Sequence, residues 1–486
     1  MELMFFNVLL CVLLTVTAGF LSPSDSVHRY ATHLFATKTQ PLEQLKVAVV
    51  GGGPSGLLLA HKLLANGASV DIYEGRRDPR LSNDLEGRAY ALGLGMRGRT
   101  AIRSVDDALW EAVKARGYES ERFTLYIRGF PIRLRDKVVD GDGSLEPSVL
   151  MYQSDLCAAL LDDLVKRDVE GKLSVKFEQR IESCDLKGKF LNLANNIRSD
   201  PFDVIIGCDG VNSVVRSSIA AASTAFEVEK TILPGEFKAC RLATAPEKLD
   251  PTSVALVIPN SGSTTCFVEP TADGSCLLFA GRGGKDDPIM NPSANLTVTA
   301  EALKESFPIL EGTDFDELAR QLANQPAGSA SSVRCNVYHY GHAAALCGDA
   351  AHATGGVSGQ GVNSALFDSV VLAEALEESF DPLNKDASLQ KCFLKYSQRQ
   401  VPEGKALYDL SFGPNPRGLL KLNFFARTAL DTLFQGRFGI GQAPLQTMLT
   451  TSTIPFSEVR RERGEFYDEP FPDQAMFDDM LAKIYN

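Results

Sequence analysis

The ten cysteines include no CxxC pair, and the chain has no internal repeat or low-complexity tract. Closely spaced cysteine pairs build structural zinc sites and thioredoxin-like dithiols, so neither is expected. Cys157, Cys208 and Cys347 sit in apolar contexts and read as buried thiols. Positive charge is also short: 49 Lys and Arg face 61 Asp and Glu, a net charge of −12. Nucleic-acid binders present a basic face, so no such partner is expected. His339 and His342 lie close in sequence, but no third or fourth ligand stands near them, and no metal is expected. Trp110 is the only tryptophan.

What remains, 44% hydrophobic and 23% charged, is the composition of a folded globular protein. At 486 residues the chain exceeds the roughly 250–300 that one core supports, so two interwoven domains are expected. Leu3–Phe20 is an apolar run ending in Thr17, Ala18 and Gly19, shaped as a signal peptide. Leu21–Gln40 is rich in Ser, Thr and Ala and poor in acid, as transit peptides are. Together they resemble the two-part presequence of algae whose plastids lie inside additional membranes, with the secretory pathway as the alternative. Residues 1–40 are set apart from the fold on that ground.

Lys46–Val50 reads as a short apolar strand running into Gly51-Gly52-Gly53-Pro54-Ser55-Gly56 and a helix that Gly67 ends. A second strand, Ser69–Tyr73, finishes at Glu74. Strand, glycine turn, helix and a terminal acid make a dinucleotide-binding unit. Gly51 permits the turn, Gly53 lets a pyrophosphate approach, Gly56 lets helix and strand pack, and Glu74 holds ribose hydroxyls. FAD and NAD both fit. His61, on the helix, reads as packing or surface.

Leu346–Leu376 reads as a strand end, an acidic turn at Gly348-Asp349, a glycine-rich loop and a helix. Gly355, Gly356, Gly359 and Gly361 let the backbone approach a flat ligand. Asn363 and Ser364 open the helix, whose free N–H groups favour partial negative charge. Asp349 is placed to accept hydrogen bonds from a polyol. Asp203–Arg216, DVIIGCDGVNSVVR, adds a buried strand and an acidic turn at Asp209-Gly210.

These three motifs, in this order, with YEGRRDPR from Tyr73, Gly87-Arg88 and Arg97-Gly98, resemble the single-component FAD-dependent aromatic hydroxylases (group A flavoprotein monooxygenases) over about residues 45–460. Pro444–Arg461, PLQTMLTTSTIPFSEVRR, is similar to the kynurenine 3-monooxygenase branch. The resemblance implies an α/β fold: a Rossmann-like FAD-binding domain interleaved with an antiparallel β-sheet substrate domain and a C-terminal helical segment. It implies FAD, with NADPH or NADH as electron donor. The activity implied is hydroxylation of an aromatic or similar electron-rich small molecule by O2 through a flavin hydroperoxide. The flavin carries that chemistry, so no catalytic side chain is implied. Carried onto this chain, Gly51, Gly53, Ser55 and Gly56 meet the pyrophosphate and Glu74 with Arg76 the adenosine side. Asp349 binds the ribityl chain, Gly359, Gln360, Gly361, Val362 and Asn363 line the flavin edge, and Asp209 serves FAD and nicotinamide.

The chain departs from the family at several positions. Gln153 stands where the family has a flavin-contacting Arg, and Gly355-Gly356 where it usually has a proline. Phe456 replaces a Tyr, and the expected Asn falls on Pro414, or on Asn415 with a one-residue shift. Arg122 is the nearest candidate for the Arg that takes a substrate carboxylate. Such losses weaken the hold on an anion. The expectation is a hydroxylase whose substrate differs from kynurenine; the alternative is a plastid quinone or isoprenoid hydroxylase, epoxidase or flavin-dependent reductase. A flavin halogenase would need a tryptophan-rich motif, which is lacking.

The domain division expected is 1–40 presequence, 41–225 first FAD-binding part, 226–335 β-rich substrate domain, 336–385 second FAD-binding part and 386–486 helical region. Ser253–Ile258, Ser263–Pro270 and Cys276–Ala280 read as strands, and Thr100–Arg116 and Ala387–Leu410 as helices. Gly418–Leu433 is amphipathic, a packing face or a peripheral membrane contact.

Overall fold

The computed structural model describes residues 40–81, 91–120, 122–135, 147–282, 286–292, 295–413 and 445–485. Residues 1–39 of the presequence, Gly87-Arg88, Pro414, Asn415 and Gly418–Leu433 lie outside them.

Lys46–Val50 is fully apolar after its first residue, as a strand covered on both faces must be. It is the middle of a six-stranded, mainly parallel sheet, in the order His339–Tyr340, Ala344–Leu346, Val204–Gly207, Lys46–Val50, Ser69–Tyr73 and Leu173–Lys176. Val50 pairs with Gly207, and Gly207 with Leu346. Three strands thus end side by side, each feeding one of the motifs read from the sequence. The helix Pro54–Ala65 starts on a proline at its first turn, where no N–H is needed, and buries Leu57, Leu58, Leu59 and Leu63. Helix Gly361–Ser379 packs on it, and Gln153–Arg167 covers its other side.

A second six-stranded sheet runs Glu236–Leu242, Gly274–Gly281, Thr265–Thr271, Ser253–Ile258, Arg122–Ile127 and Phe130–Arg135. The last two strands fall in the stretch expected to belong wholly to the FAD-binding part. Arg122–Ile127 instead pairs in parallel with Ser253–Ile258. One face of this sheet buries Cys240, Val257, Cys266, Val268, Leu277 and Phe279 against helices Leu296–Ser306 and Phe315–Ala323. Between the two large sheets stands a three-stranded one, ordered Ala91–Leu94, Ser148–Tyr152, Tyr118–Ser120.

The helix expected over Thr100–Arg116 is two, Met96–Arg103 and Asp107–Lys114. Asp106 breaks it: its carboxylate accepts the Ala108 N–H at 2.8 Å and caps the second helix. Among the described residues, no helix is long and apolar enough to cross a membrane.

Candidate active site

The glycine turn is fixed by sterics at two positions. Gly51 has φ +107°, and a Cβ there would stand 2.4 Å from the Cys208 carbonyl oxygen. At Gly56 a Cβ would stand 2.0 Å from the Gly51 carbonyl. Gly53 is different: a Cβ would meet only Gln153 Nε2, at 3.9 Å. The space over Gly53 is therefore open, with the Gln153 amide at its rim. Helices Pro54–Ala65 and Gln153–Arg167 both begin beside this space without a side-chain cap. Their first N–H groups are a ready anion site.

Glu74, at the end of the next strand, accepts the Gly52 N–H at 2.9 Å and the Arg76 N–H at 2.9 Å. Arg76 Nε adds a bond of 3.0 Å. Burial pushes the Glu74 carboxyl upward, but the Arg76 guanidinium and the two backbone donors outweigh it, and its pKa lies below the usual carboxylate range. The Ser55 hydroxyl turns away from the loop. It lies 3.0 Å from Ser369 Oγ and 3.2 Å from Cys347 Sγ, between the two helices, so Ser55 has its backbone to offer a phosphate.

Asp209 Oδ2 accepts from Val214 N at 2.7 Å and Val215 N at 3.3 Å. Its Oδ1 is buried without a hydrogen-bond partner among the described residues. Burial raises the Asp209 pKa, and Ser213 with the two backbone donors only partly opposes it. Asp349 opens a short helix, Asp349–His352, after Gly348 at φ +64°. A Cβ on Gly361 would sit 3.9 Å from Asp349 Oδ1, so this carboxylate and the start of helix Gly361–Ser379 face one space. The loop between them takes left-handed backbone at Gly355, Gly356 and Gly359, and Cβ atoms on the last two would touch nothing. Helix Gly361–Ser379 also starts on Gln360 without a side-chain cap.

Asn363 is buried and joins two elements. Its Oδ1 accepts the Gly95 N–H at 2.8 Å, and its Nδ2 donates to the Gly93 carbonyl at 2.9 Å. It thereby pins strand Ala91–Leu94 to the start of helix Gly361–Ser379. Arg97, next in line, is buried and donates to the Leu449 carbonyl at 2.6 Å and to that of Ile454. Its guanidinium lies 3.9 Å over the Phe456 ring. Burial lowers the Arg97 pKa to about 10, against the opposing pull of Glu403. Glu403 in turn accepts the Phe456 N–H at 2.6 Å. Phe456 is thus a sealed packing residue of the C-terminal segment.

Arg122 is not in the cleft. Strand alternation turns it to the same face as Thr124 and Tyr126, the helix-covered one, where Asp250 Oδ2 and Thr252 Oγ1 each lie 3.1 Å from its Nη1. His339 and His342 diverge: His339 is buried with Nδ1 2.7 Å from Ser397 Oγ, and His342 stands half-buried beside Asp386. His61 is buried, its Nε2 2.8 Å from the Leu160 carbonyl. Sequence reasoning missed Asp368, which lies inside helix Gly361–Ser379 and holds the acidic turn from beneath.

FAD can be tested against these residues. The open space over Gly53, two uncapped helix starts beside it, the orphaned Asp209 oxygen, and Asp349 facing the start of a third helix suit a dinucleotide's phosphates, ribityl and ring edge. The residues fit.

Residues 44–410 match the FAD binding domain family. A kynurenine 3-monooxygenase of Salinispora tropica is 27% identical over 434 residues, 85% of this chain and 90% of its own length. The Sus scrofa kynurenine 3-monooxygenase is 26% identical over 443 residues, covering 86% of each. Among solved structures, 2-methyl-3-hydroxypyridine-5-carboxylic acid oxygenase superposes with a TM-score of 0.60 at 19% identity, over 82% of this chain and 99% of that one. Pseudomonas aeruginosa PqsL, solved with 2-aminobenzoylacetate, gives 0.57 at 21%, over 79% and 98%. The chain belongs to the FAD binding domain family and is a FAD-dependent monooxygenase similar to kynurenine 3-monooxygenase.

Proposed function

We propose that the protein uses NADPH or NADH and O2 to hydroxylate an electron-rich aromatic small molecule. One observation carries the reading: the glycine turn, the Asp209 turn and the Gly348-Asp349 turn leave three neighbouring parallel strands at the same end. Ligands of open α/β sheets bind beyond that end. Bound there, FAD reduced by a nicotinamide supplies the activation of O2.

The chain's own part is to hold, orient and shield. The Gly51–Gly56 backbone and the Gln153 amide take the pyrophosphate, and Glu74 takes ribose hydroxyls. Asp349 takes the ribityl chain. N–H groups at Gly361–Asn363 stabilise negative charge on the ring edge. The Arg97–Phe456–Glu403 contacts close the C-terminal segment over helix Met96–Arg103 and keep water from that side.

Kynurenine is the substrate named for the relatives. The chain offers a kynurenine carboxylate neither the Arg122 guanidinium nor a Tyr hydroxyl at Phe456, which favours a different aromatic. The quinone, isoprenoid and reductase alternatives gain nothing from the matched relatives. The test follows NADPH oxidation and product mass together, across aromatic candidates including kynurenine. NADPH oxidation that no aromatic accelerates, with no oxygenated product, overturns the proposal.

We propose too, from composition alone, that residues 1–40 direct the protein to a plastid and that Gly418–Leu433 touches a membrane surface. A fluorescent fusion of residues 1–40 that stays in the cytosol of such an alga overturns the first; a purified protein indifferent to anionic vesicles overturns the second.

A further inference from the structure

The second large sheet has two faces of opposite character in what covers them. The helix-covered face is filled. The other face carries Ala239, Leu278, Phe267, Leu256 and Leu125 in one row across five strands, by the pairings Ala239↔Leu278, Leu278↔Phe267, Phe267↔Leu256 and Leu256↔Leu125. Two residues along, the parallel row is Arg241, Cys276 and Glu269. An acid in an apolar face needs a partner. Arg241 lays its guanidinium 3.7 Å over the Tyr152 ring, and its Nε is likewise buried without a hydrogen-bond partner among the described residues. Glu269 Oε2 is buried and has no hydrogen-bond partner among the described residues. Burial alone pushes this carboxyl up to about 8, so its neutral form prevails near pH 7.

This face looks toward the cofactor motifs. Cys276, the middle of the acid's row, packs with Ala91 and Tyr152 of the small sheet. Tyr152 is followed by Gln153, at the rim of the space over Gly53. Ala91 begins the strand whose Gly93 carbonyl is held by Asn363 at the flavin edge. The small sheet therefore spans from the phosphate loop to the ring edge, and Glu269 stands across from it.

We propose that Glu269 is the polar anchor of the substrate pocket and selects an aromatic that offers it an N–H or O–H donor, against one that brings a carboxylate there. This rests on the monooxygenase reading and names its substrate class. A buried oxygen without a partner is satisfied by a donor, and a cationic amine draws the carboxyl into its ionised form. A substrate carboxylate can accept from the O–H of the neutral carboxyl, but it faces like charge once Glu269 is ionised. The discrimination expected from one such contact is about tenfold to a hundredfold.

The experiment uses the FAD-loaded full chain and two pairs of aromatics alike except for a carboxylate: kynuramine with kynurenine, and aniline with anthranilate. Binding is read from the flavin absorbance change, turnover from NADPH oxidation and product mass. At about pH 9, where Glu269 is ionised, the amine of each pair is expected to bind at least about tenfold more tightly than the acid. E269L should bring that ratio close to one while FAD content stays unchanged, and E269Q, which keeps an acceptor, should hold an intermediate ratio. Acids bound as tightly as amines, an E269L ratio equal to wild type, or no absorbance change with any of the four overturns the assignment. Tight amine binding with no oxygenated product from any aromatic overturns the monooxygenase reading and leaves the binding assignment standing.

Discussion

His352 Nε2 stands 2.6 Å from Asp368 Oδ2, and the same oxygen accepts the Gly348 N–H at 3.2 Å. One carboxylate inside a helix thus holds both ends of the turn that presents Asp349. The His352 ring also stacks on Tyr338, with centroids 5.4 Å apart. Burial alone would lower the His352 pKa, but the charge and hydrogen bond of Asp368, aided by Asp349, raise it.

That shift has a sign. A histidine whose pKa is raised in the folded state stabilises most below its unfolded value, near 6.5, and the contribution is lost as pH rises through the folded value. Thermal stability should therefore fall along an alkaline limb above about pH 6.5. D368N should flatten the limb and destabilise by about 2 kcal/mol, since it removes a buried charge-assisted bond. Melting curves across this pH range check both; a D368N protein that keeps the limb places its origin elsewhere.

Two glycines of the first turn, Gly56 and Gly53, should separate folding from cofactor binding. G56A drives a Cβ into the Gly51 carbonyl, a backbone clash with nowhere to relax, and should destabilise by about 3 kcal/mol. Gly53 has ordinary extended backbone, φ −78° and ψ −177°, and an open side. G53A should leave the apoprotein within about 0.5 kcal/mol of wild type while weakening FAD at least about tenfold, because the methyl occupies the pyrophosphate's approach. Equal FAD affinity in G53A and wild type would show that the phosphates do not pass over Gly53.

Asn363 should matter to both cofactor edge and fold. N363A leaves the Gly95 N–H and the Gly93 carbonyl without their buried partner and should cost about 2 kcal/mol or more. N363D keeps an acceptor for Gly95 but sets a buried carboxylate oxygen against the Gly93 carbonyl, so it should cost at least as much. Melting temperature gives the stabilities, and a shifted flavin absorbance spectrum in N363A would report the displaced loop.

How much of this was legible in the sequence divides by range. Lys46–Val50, Ser69–Tyr73 and Ser253–Ile258 have the bounds that short-range pattern gives, because strand apolarity and flanking turns are local properties. The motifs around Gly51, Asp209 and Asp349 were readable for the same reason. Arg122 was misplaced because its fate depends on strand parity in a sheet whose partner, Ser253–Ile258, lies far along the chain. Asp368 was missed because a helical acid sixteen residues from His352 forms no motif, and its role appears only once the turn folds back on the helix. The break at Asp106 carried a local sign, since Asp before an apolar helical run is an N-cap signature.

Glu74 gives the acid counterpart of the His352 argument. Its pKa is depressed in the folded protein, so its contribution is present above the unfolded value near 4.3 and is lost as pH falls through the folded one. The Arg76 side chain is 55% exposed, so solvent screens that half of the interaction. The Gly52 N–H, buried against Glu74 Oε2, is the contact with the greater consequence. E74Q keeps a neutral acceptor for Gly52 but loses the charge that holds Arg76 and meets ribose hydroxyls. It should lower the melting temperature most at neutral pH, flatten the acid limb below about pH 4.5, and weaken FAD about tenfold. R76Q should move FAD affinity less than E74Q, and the reverse order would assign the adenosine side to the cation instead.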